Sequence, residues 1–189
     1  VYPAFVPLAA ELLAGTPISV AAVAGAFPAG LSALEVRLAD IAAVVAAGAD
    51  EVDIVVNRSA LLDGRLDVVN AELDAARRAA GDAALKVILE VGELVAPAVI
   101  AAAAHAAMEA GADMIKTSTG KVAVNATPEA VWTMAEAIRD HHEATGRAVG
   151  LKIAGGVRTA DDALGYVGIV REILGDEWIT PARLRFGAS

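Results

Sequence analysis

Cysteine is absent from this 189-residue sequence, which excludes some kinds of structural and metal site and bears on the cellular compartment of the protein. Without cysteine, neither a disulfide framework nor a thiolate zinc site can form. The opening residues, VYPAF, also lack the charged start and apolar core of a secretory signal. We therefore expect a cytoplasmic protein.

Aromatic residues and positive charge are scarce as well. Aromatic side chains make up 4% of the chain, and they are too scattered to form a platform for stacking nucleic-acid bases. Lysine and arginine total 15 against 24 acidic residues, for a net charge of −9, so we expect no nucleic-acid partner. A few clustered cations could still bind one phosphate group.

Long apolar runs are missing too, although hydrophobic residues make up 57% of the chain and the mean hydropathy is +0.56. Alanine accounts for much of both figures. Asp, Glu, Arg or Gly interrupts each run before it reaches the roughly 18 residues of a membrane-spanning helix. We therefore expect no membrane partner.

The sequence does contain a regular alternation of predicted strands and helices, which is typical of a parallel sheet with helical crossovers. The predicted strands are the end of one at 1–5, then 18–27, 51–57, 85–90, 114–118, 149–154 and 183–189. The predicted helices are 7–14, 34–47, 66–80, 97–110, 127–144 and 159–174, the last two with Thr127 and Thr159 as N-caps. The tetrapeptide AGAD occurs at 47–50 and again at 110–113, which indicates weak internal repetition of a βα unit.

One charged residue interrupts each of four predicted strands. Asp53, Lys86, Lys116 and Lys152 are separated by 33, 30 and 36 residues, so each repeat should place one charge at the same level. An open sheet buries both faces and rarely tolerates such charges, whereas a (β/α)8 barrel directs them towards a shared axis. We therefore predict an α/β fold, a (β/α)8 TIM barrel, as a single domain over residues 1–189. Because this fold typically takes about 250 residues, we expect it to be truncated at both ends, lacking the first strand, most of the second and the C-terminal helix.

Lysine is the rarer of the two strongly basic residues, with four lysines against eleven arginines. Unlike arginine, lysine can lose its proton and attack a carbonyl carbon. Two ammonium groups that converge on one axis would lower the pKa of one of them, and Asp53 could then transfer protons. The four strand charges could instead form a buried structural ion network. Their spacing decides neither between these alternatives nor which lysine is the nucleophile.

Three segments could bind a phosphate group. Gly155-Gly156-Val157-Arg158 leaves one strand and enters a helix, and Gly187-Ala188-Ser189 follows the last strand. Loops after the last two strands of a barrel often bind phosphate through backbone N–H groups. Lys121, in the loop after the strand that carries Lys116, could contribute a cation.

Six segments, in order along the chain, resemble deoxyribose-phosphate aldolase. They are VYPAFVP, GADEVDIVVN, LKVILE, GADMIKTSTGKVAVNATPE, VGLKIAGGVRT and RFGAS. The pair IKTSTGK and GLKIAGGVRT is the most specific part of the resemblance. It implies a (β/α)8 barrel that reversibly cleaves 2-deoxy-D-ribose 5-phosphate to acetaldehyde and D-glyceraldehyde 3-phosphate, without a metal or other cofactor.

The resemblance also implies a role for each site residue. Lys116 matches the family's Schiff-base lysine, Lys152 the second lysine that perturbs it, and Asp53 the acid of the proton relay, with Lys86 in a supporting position. The positions that match the family's phosphate site are Lys121, Gly155, Gly156, Arg158, Gly187 and Ser189. The sequence departs from the family pattern after RFGAS, where a further serine and a closing helix are absent.

Two other functions are compatible with these residues. One is a lysine-dependent barrel aldolase or transaldolase that acts on a different sugar phosphate. The other is a phosphosugar-binding protein in which the lysines only bind anions. A protein of this kind would form no covalent adduct with its ligand. A homodimer is possible, although the sequence does not determine the oligomeric state.

Overall fold

Six parallel strands, hydrogen-bonded in chain order, form the centre of the molecule in a computed structural model that describes residues 1–187. The strands are β1 (Ala21–Val23), β2 (Glu51–Val55), β3 (Ala84–Ile88), β4 (Met114–Lys116), β5 (Gly150–Ala154) and β6 (Leu184–Gly187). Each pairs in parallel with the next. This order is the one that repeated βα units produce.

Helices connect the strands and pack on their neighbours, α2 on α4, α4 on α6, α6 on α7 and α7 on α8. They are α1 (Val6–Leu13), α2 (Leu34–Ala46), α3 (Arg58–Leu62), α4 (Leu66–Ala80), α5 (Val91–Leu94), α6 (Pro97–Glu109), α7 (Pro128–Thr145) and α8 (Ala160–Leu174). The six predicted helices are confirmed to within one or two residues, whereas the short helices α3 and α5 were not predicted. None of the described helices combines the length and the apolar character needed to cross a lipid bilayer.

The last two long helices begin at the predicted caps. The Thr127 side chain accepts a hydrogen bond from the Ala130 N–H, and Pro128 occupies the first turn of α7. Thr159 and Asp162 form a reciprocal capping box at the start of α8. These side chains satisfy N–H groups that have no partner within the helix.

The two N-terminal strands predicted at 1–5 and 18–27 are shorter in the structure than expected. Val1 does lie beside β1, because its carbonyl accepts a hydrogen bond from the Val23 N–H at 3.0 Å, but Pro3–Phe5 forms a 3-10 helix. Proline has no N–H to donate to a sheet. The apolar run at 18–27 forms a strand only over Ala21–Val23, and Gly25 and Ala26 adopt left-handed backbone angles in the loop that follows.

The sheet is strongly curved. In a flat sheet β2 and β6 would lie about 19 Å apart, at about 4.8 Å per strand. Instead Glu51 on β2 and Arg185 on β6 form an ion pair with a distance of 3.2 Å between Oε1 and Nη2. One face of the sheet therefore curls around a common axis, as in a barrel wall, while Val52, Leu85 and Leu151 on the other face are fully buried.

Candidate active site

The four strand charges meet at one carboxylate inside the curved sheet. The Lys86 ammonium donates to Asp53 Oδ1 at 2.7 Å, and the ammonium groups of Lys116 and Lys152 both donate to Asp53 Oδ2 at 2.7 Å. Strands β2, β3, β4 and β5 each supply one member of this group. We call these four residues the inner ion cluster.

In the sheet register the inner ion cluster forms two pairs, although all three ammonium groups reach the Asp53 carboxylate. Asp53 pairs with Lys86, but Lys86 pairs with Met114, and Lys116 and Lys152 pair with each other two residues further along. In a (β/α)8 barrel the register shifts by about one residue per strand because the strands are tilted. Two strands away from Asp53, that shift brings Lys116 to the height of its carboxylate.

The side chains of the inner ion cluster are between 1% and 17% exposed, and burial together with their mutual interactions shifts two pKa values. Burial alone would raise the pKa of Asp53, but attraction from Lys116, Lys86 and Lys152 outweighs it and holds this pKa well below its usual range. For Lys152, burial lowers the pKa, the neighbouring cations Lys116 and Lys86 lower it further, and attraction to Asp53 opposes both. Burial is thus the largest cause of the lowered Lys152 pKa, and the converging ammonium groups act in the same direction.

Lys116 and Lys152 also face a cavity of about 340 Å³. Its lining residues are Lys116, Thr119, Gly120, Lys121, Asn125, Lys152, Ala154, Gly155, Gly156, Arg158 and Gly187. The volume suits a small organic ligand. All the described residues predicted for phosphate binding therefore lie on the cavity wall, and Ser189 lies outside the described residues.

Lys86 occupies a different place from the other two lysines. Its side chain is 1% exposed and does not line the cavity. A second carboxylate, Glu51, lies 2.8 Å from its ammonium nitrogen and joins it to Arg185 on β6. Sequence reasoning missed Glu51 and Arg185, although Glu51 stands two residues before Asp53 and alternation in a strand places both on the same face.

The glycine turn, Gly155-Gly156, follows β5 in left-handed backbone conformations with φ of 81° and 86°. The N–H groups of Arg158 and Thr159 donate to the Asp162 carboxylate, so these two donors are already engaged by the helix cap. Phosphate recognition at this turn would therefore depend on the earlier backbone and on the Arg158 side chain, not on every N–H group of the turn.

Alanine at Gly155 should destabilise the protein much more than alanine at Gly156. A β-carbon at Gly155 would lie 2.4 Å from Asn125 Oδ1 and 2.6 Å from Asn125 Cβ, whereas one at Gly156 would meet nothing within 4 Å. We expect Gly156→Ala to lower the free energy of unfolding by about 1 kcal/mol through backbone strain, and Gly155→Ala by about 2–4 kcal/mol through strain and overpacking. Urea denaturation of both variants measures the difference, and equal losses would contradict the contact with Asn125.

The family comparison covers most of the chain. A family model described as DeoC/LacD family aldolase matches residues 4–171. The chain belongs to the DeoC/LacD family of aldolases. The sequence is 48% identical over 191 residues to the deoxyribose-phosphate aldolase of Mus musculus and 47% identical to that of Homo sapiens. Each alignment covers 100% of this chain and 60% of the relative, so the chain spans about 60% of the length of these two curated relatives.

A solved structure of a deoxyribose phosphate aldolase shares the fold. The tetrameric deoxyribose phosphate aldolase of Aeropyrum pernix superposes with a TM-score of 0.76 and 27% identity, covering 100% of this chain and 70% of that one. Together with the curved sheet of parallel strands, this likeness confirms the (β/α)8 barrel class.

Proposed function

We propose that this chain is a class I aldolase that reversibly cleaves 2-deoxy-D-ribose 5-phosphate to acetaldehyde and D-glyceraldehyde 3-phosphate. The observation that carries the proposal is the shared carboxylate oxygen. Asp53 Oδ2 accepts hydrogen bonds from both Lys116 and Lys152, and both lysines face the same cavity. A pure anion-binding site would gain nothing from a buried carboxylate that neutralises its cations.

Lys116 is the proposed nucleophile. Its neutral amine attacks C1 of the open-chain sugar, and loss of water from the carbinolamine leaves a protonated imine. The C3 hydroxyl then loses its proton, the C2–C3 bond breaks, and its electron pair moves into the imine to form an enamine. Release of glyceraldehyde 3-phosphate, protonation of the enamine at C2 and hydrolysis of the imine return the lysine and liberate acetaldehyde.

Asp53 and Lys152 are the proposed proton carriers. Asp53 contacts both ammonium groups through one oxygen, so a proton can pass between the lysines by way of that carboxylate or of a water beside it. Burial lowers the pKa of Lys152, which makes it easier for this ammonium group to release a proton. Lys86 holds the other oxygen of Asp53 and keeps the carboxylate oriented.

The part of the cavity wall formed by the loops after β4 and β5 suits the phosphate group of the sugar. Lys121 and Arg158 supply positive charge there, and the glycine turn allows close approach to the backbone. Gly187 lies beside this turn, where a β-carbon would contact Ala154 at 2.8 Å, so only glycine keeps the cavity wall in place. The proposed substrate thus spans from Lys116 to Lys121.

Reductive trapping tests the proposal directly. Incubation with acetaldehyde and borohydride should add one N-ethyl group per chain, seen by intact mass and located on Lys116 by peptide mapping. Lys152→Ala should still be labelled, but more slowly. Absence of an adduct on protein shown to be folded would contradict imine chemistry and favour the anion-binding alternative. Turnover of a fructose phosphate in preference to deoxyribose 5-phosphate would favour a different lysine-dependent aldolase.

The assembly and the location of the protein stay predictions. We propose a homodimer in the cytoplasm, acting on the sugar phosphate and acetaldehyde as small-molecule partners. The relative from Aeropyrum pernix is tetrameric, so larger assemblies occur among similar proteins. The single-domain organisation over residues 1–189 is likewise a prediction.

A further inference from the structure

Glu90 is a buried acid outside the inner ion cluster, and the proposed reaction does not use it. It directly precedes α5 and is fully buried. Its backbone lies in the left-handed region, with φ 59° and ψ 58°, which is unfavourable for a residue with a β-carbon. A buried charge on a strained backbone is costly, so its contacts should identify what it stabilises.

The carboxylate of Glu90 binds the loop that follows β4. Its Oε1 accepts a hydrogen bond from the Thr119 N–H at 3.0 Å, and its Oε2 accepts one from the Thr119 hydroxyl at 2.5 Å. The Arg58 guanidinium is 3.7 Å away and lies closer to Glu93, at 2.8 Å. The two close contacts of Glu90 are therefore made with a single loop residue.

Thr119 also contacts Lys121 and so connects it to Glu90. The Thr119 hydroxyl oxygen accepts a hydrogen bond from the Lys121 N–H at 3.0 Å, so Glu90, Thr119 and Lys121 form one continuous chain of contacts. The same loop is held at a second point, where a β-carbon on Gly92 would lie 2.0 Å from the Val124 carbonyl oxygen. The backbone before Lys121 and the backbone after it are thus both packed against residues 90–92.

We infer that Glu90 is a positioning residue that fixes the 119–121 loop so that the Lys121 side chain meets the substrate phosphate. This inference rests on the proposed function and extends it to how that function selects a phosphorylated sugar. Charge-assisted hydrogen bonds are about twice as strong as neutral ones, so the Glu90 carboxylate restrains the loop more tightly than an amide would. Loss of the charge should therefore weaken phosphate recognition without affecting imine chemistry at Lys116.

The test compares Glu90→Gln with Glu93→Gln on two substrates. Glutamine keeps the shape of the side chain, but its amide nitrogen can no longer accept a hydrogen bond from Thr119. We expect KM for deoxyribose 5-phosphate to rise about tenfold, equivalent to about 1.4 kcal/mol, with kcat within about twofold. For unphosphorylated 2-deoxyribose, kcat/KM should stay within about twofold. Glu93→Gln, which removes a neighbouring charge that also contacts Arg58, should change neither.

A second pair of variants approaches the same contact from the loop. Thr119→Val removes the hydroxyl and should reproduce the phosphate-specific rise in KM. Thr119→Ser keeps the hydroxyl and should leave KM for deoxyribose 5-phosphate unchanged. If both Glu90→Gln and Thr119→Val lower kcat/KM equally for the two sugars, or leave both unchanged, the inference is wrong.

The proposed function and this inference fail in different ways. If the unmodified protein gives no N-ethyl adduct with acetaldehyde and borohydride, the proposed function is wrong. If the adduct forms on the unmodified protein and on Glu90→Gln at equal rates while KM for the phosphorylated sugar does not change, only the positioning role of Glu90 is overturned.

Discussion

Lys116→Met should abolish both the N-ethyl adduct and the cleavage of deoxyribose 5-phosphate. Methionine has a similar length and no nucleophilic nitrogen, so the covalent route is lost entirely. We expect kcat/KM to fall by at least about four orders of magnitude, or about 5.5 kcal/mol of transition-state stabilisation. A coupled assay for glyceraldehyde 3-phosphate measures the rate, and intact mass measures the adduct.

The free energy of unfolding of Lys116→Met shows whether its loss of activity comes from lost chemistry or from a loss of folding. Three ammonium groups share the Asp53 carboxylate, so removing Lys116 also removes its repulsion with the other two cations. Replacement of buried ions by apolar groups is often neutral for stability, and we expect the free energy of unfolding to change by less than about 1 kcal/mol. Lys121→Met is the matched control, because it removes a cavity lysine outside the inner ion cluster and should leave trapping with acetaldehyde intact. A trapped adduct on Lys116→Met would show that another lysine is the nucleophile.

Asp53→Asn should be the most destabilising substitution in the site. Asp53 is 2% exposed and is the only carboxylate that contacts Lys116 and Lys152 among the described residues. An amide carries no charge to attract the three ammonium groups, and breaking a buried ion network on one side costs about 3–5 kcal/mol. Urea denaturation at neutral pH measures the loss. In the double variant Asp53→Asn, Lys152→Met, part of the stability should return, and strict additivity of the two single effects would contradict the shared contact.

The same carboxylate should make stability depend on acid pH. The pKa of Asp53 is lowered in the folded state, so its contribution to stability is complete above the unfolded pKa of 3.8 and is lost as the pH falls below that value towards the folded pKa. The free energy of unfolding of the parent should therefore decrease as the pH falls below about 4, and more steeply than that of Asp53→Asn. Asp162→Asn is a useful comparison, because this exposed carboxylate also has a lowered pKa but only caps α8. A parallel pH profile for parent and Asp53→Asn would contradict the role of Asp53.

Much of the architecture could be predicted from local patterns in the sequence. Helices α7 and α8 begin at Thr127 and Thr159 as expected, because a cap is a contact between residues three apart in the chain. The strand at 18–27 was overestimated, because an apolar run does not show where the backbone turns away from its neighbour. Residues such as Glu90, Thr119 and Asn125 carry no periodic signal, and their places in the site depend on contacts between different loops.

The sequence by itself determined the alternation of strands and helices, the four charges spaced by one repeat, and the glycines beside the cavity, since each of these depends on residue type and short-range spacing. Only the tertiary structure decided that Lys116 and Lys152 share one oxygen of Asp53 while Lys86 does not line the cavity, and that Glu51 and Arg185 continue the ion network. The reason is the stagger of tilted strands, which sets the height of each side chain along the axis. That stagger is a property of the assembled sheet and of no single segment.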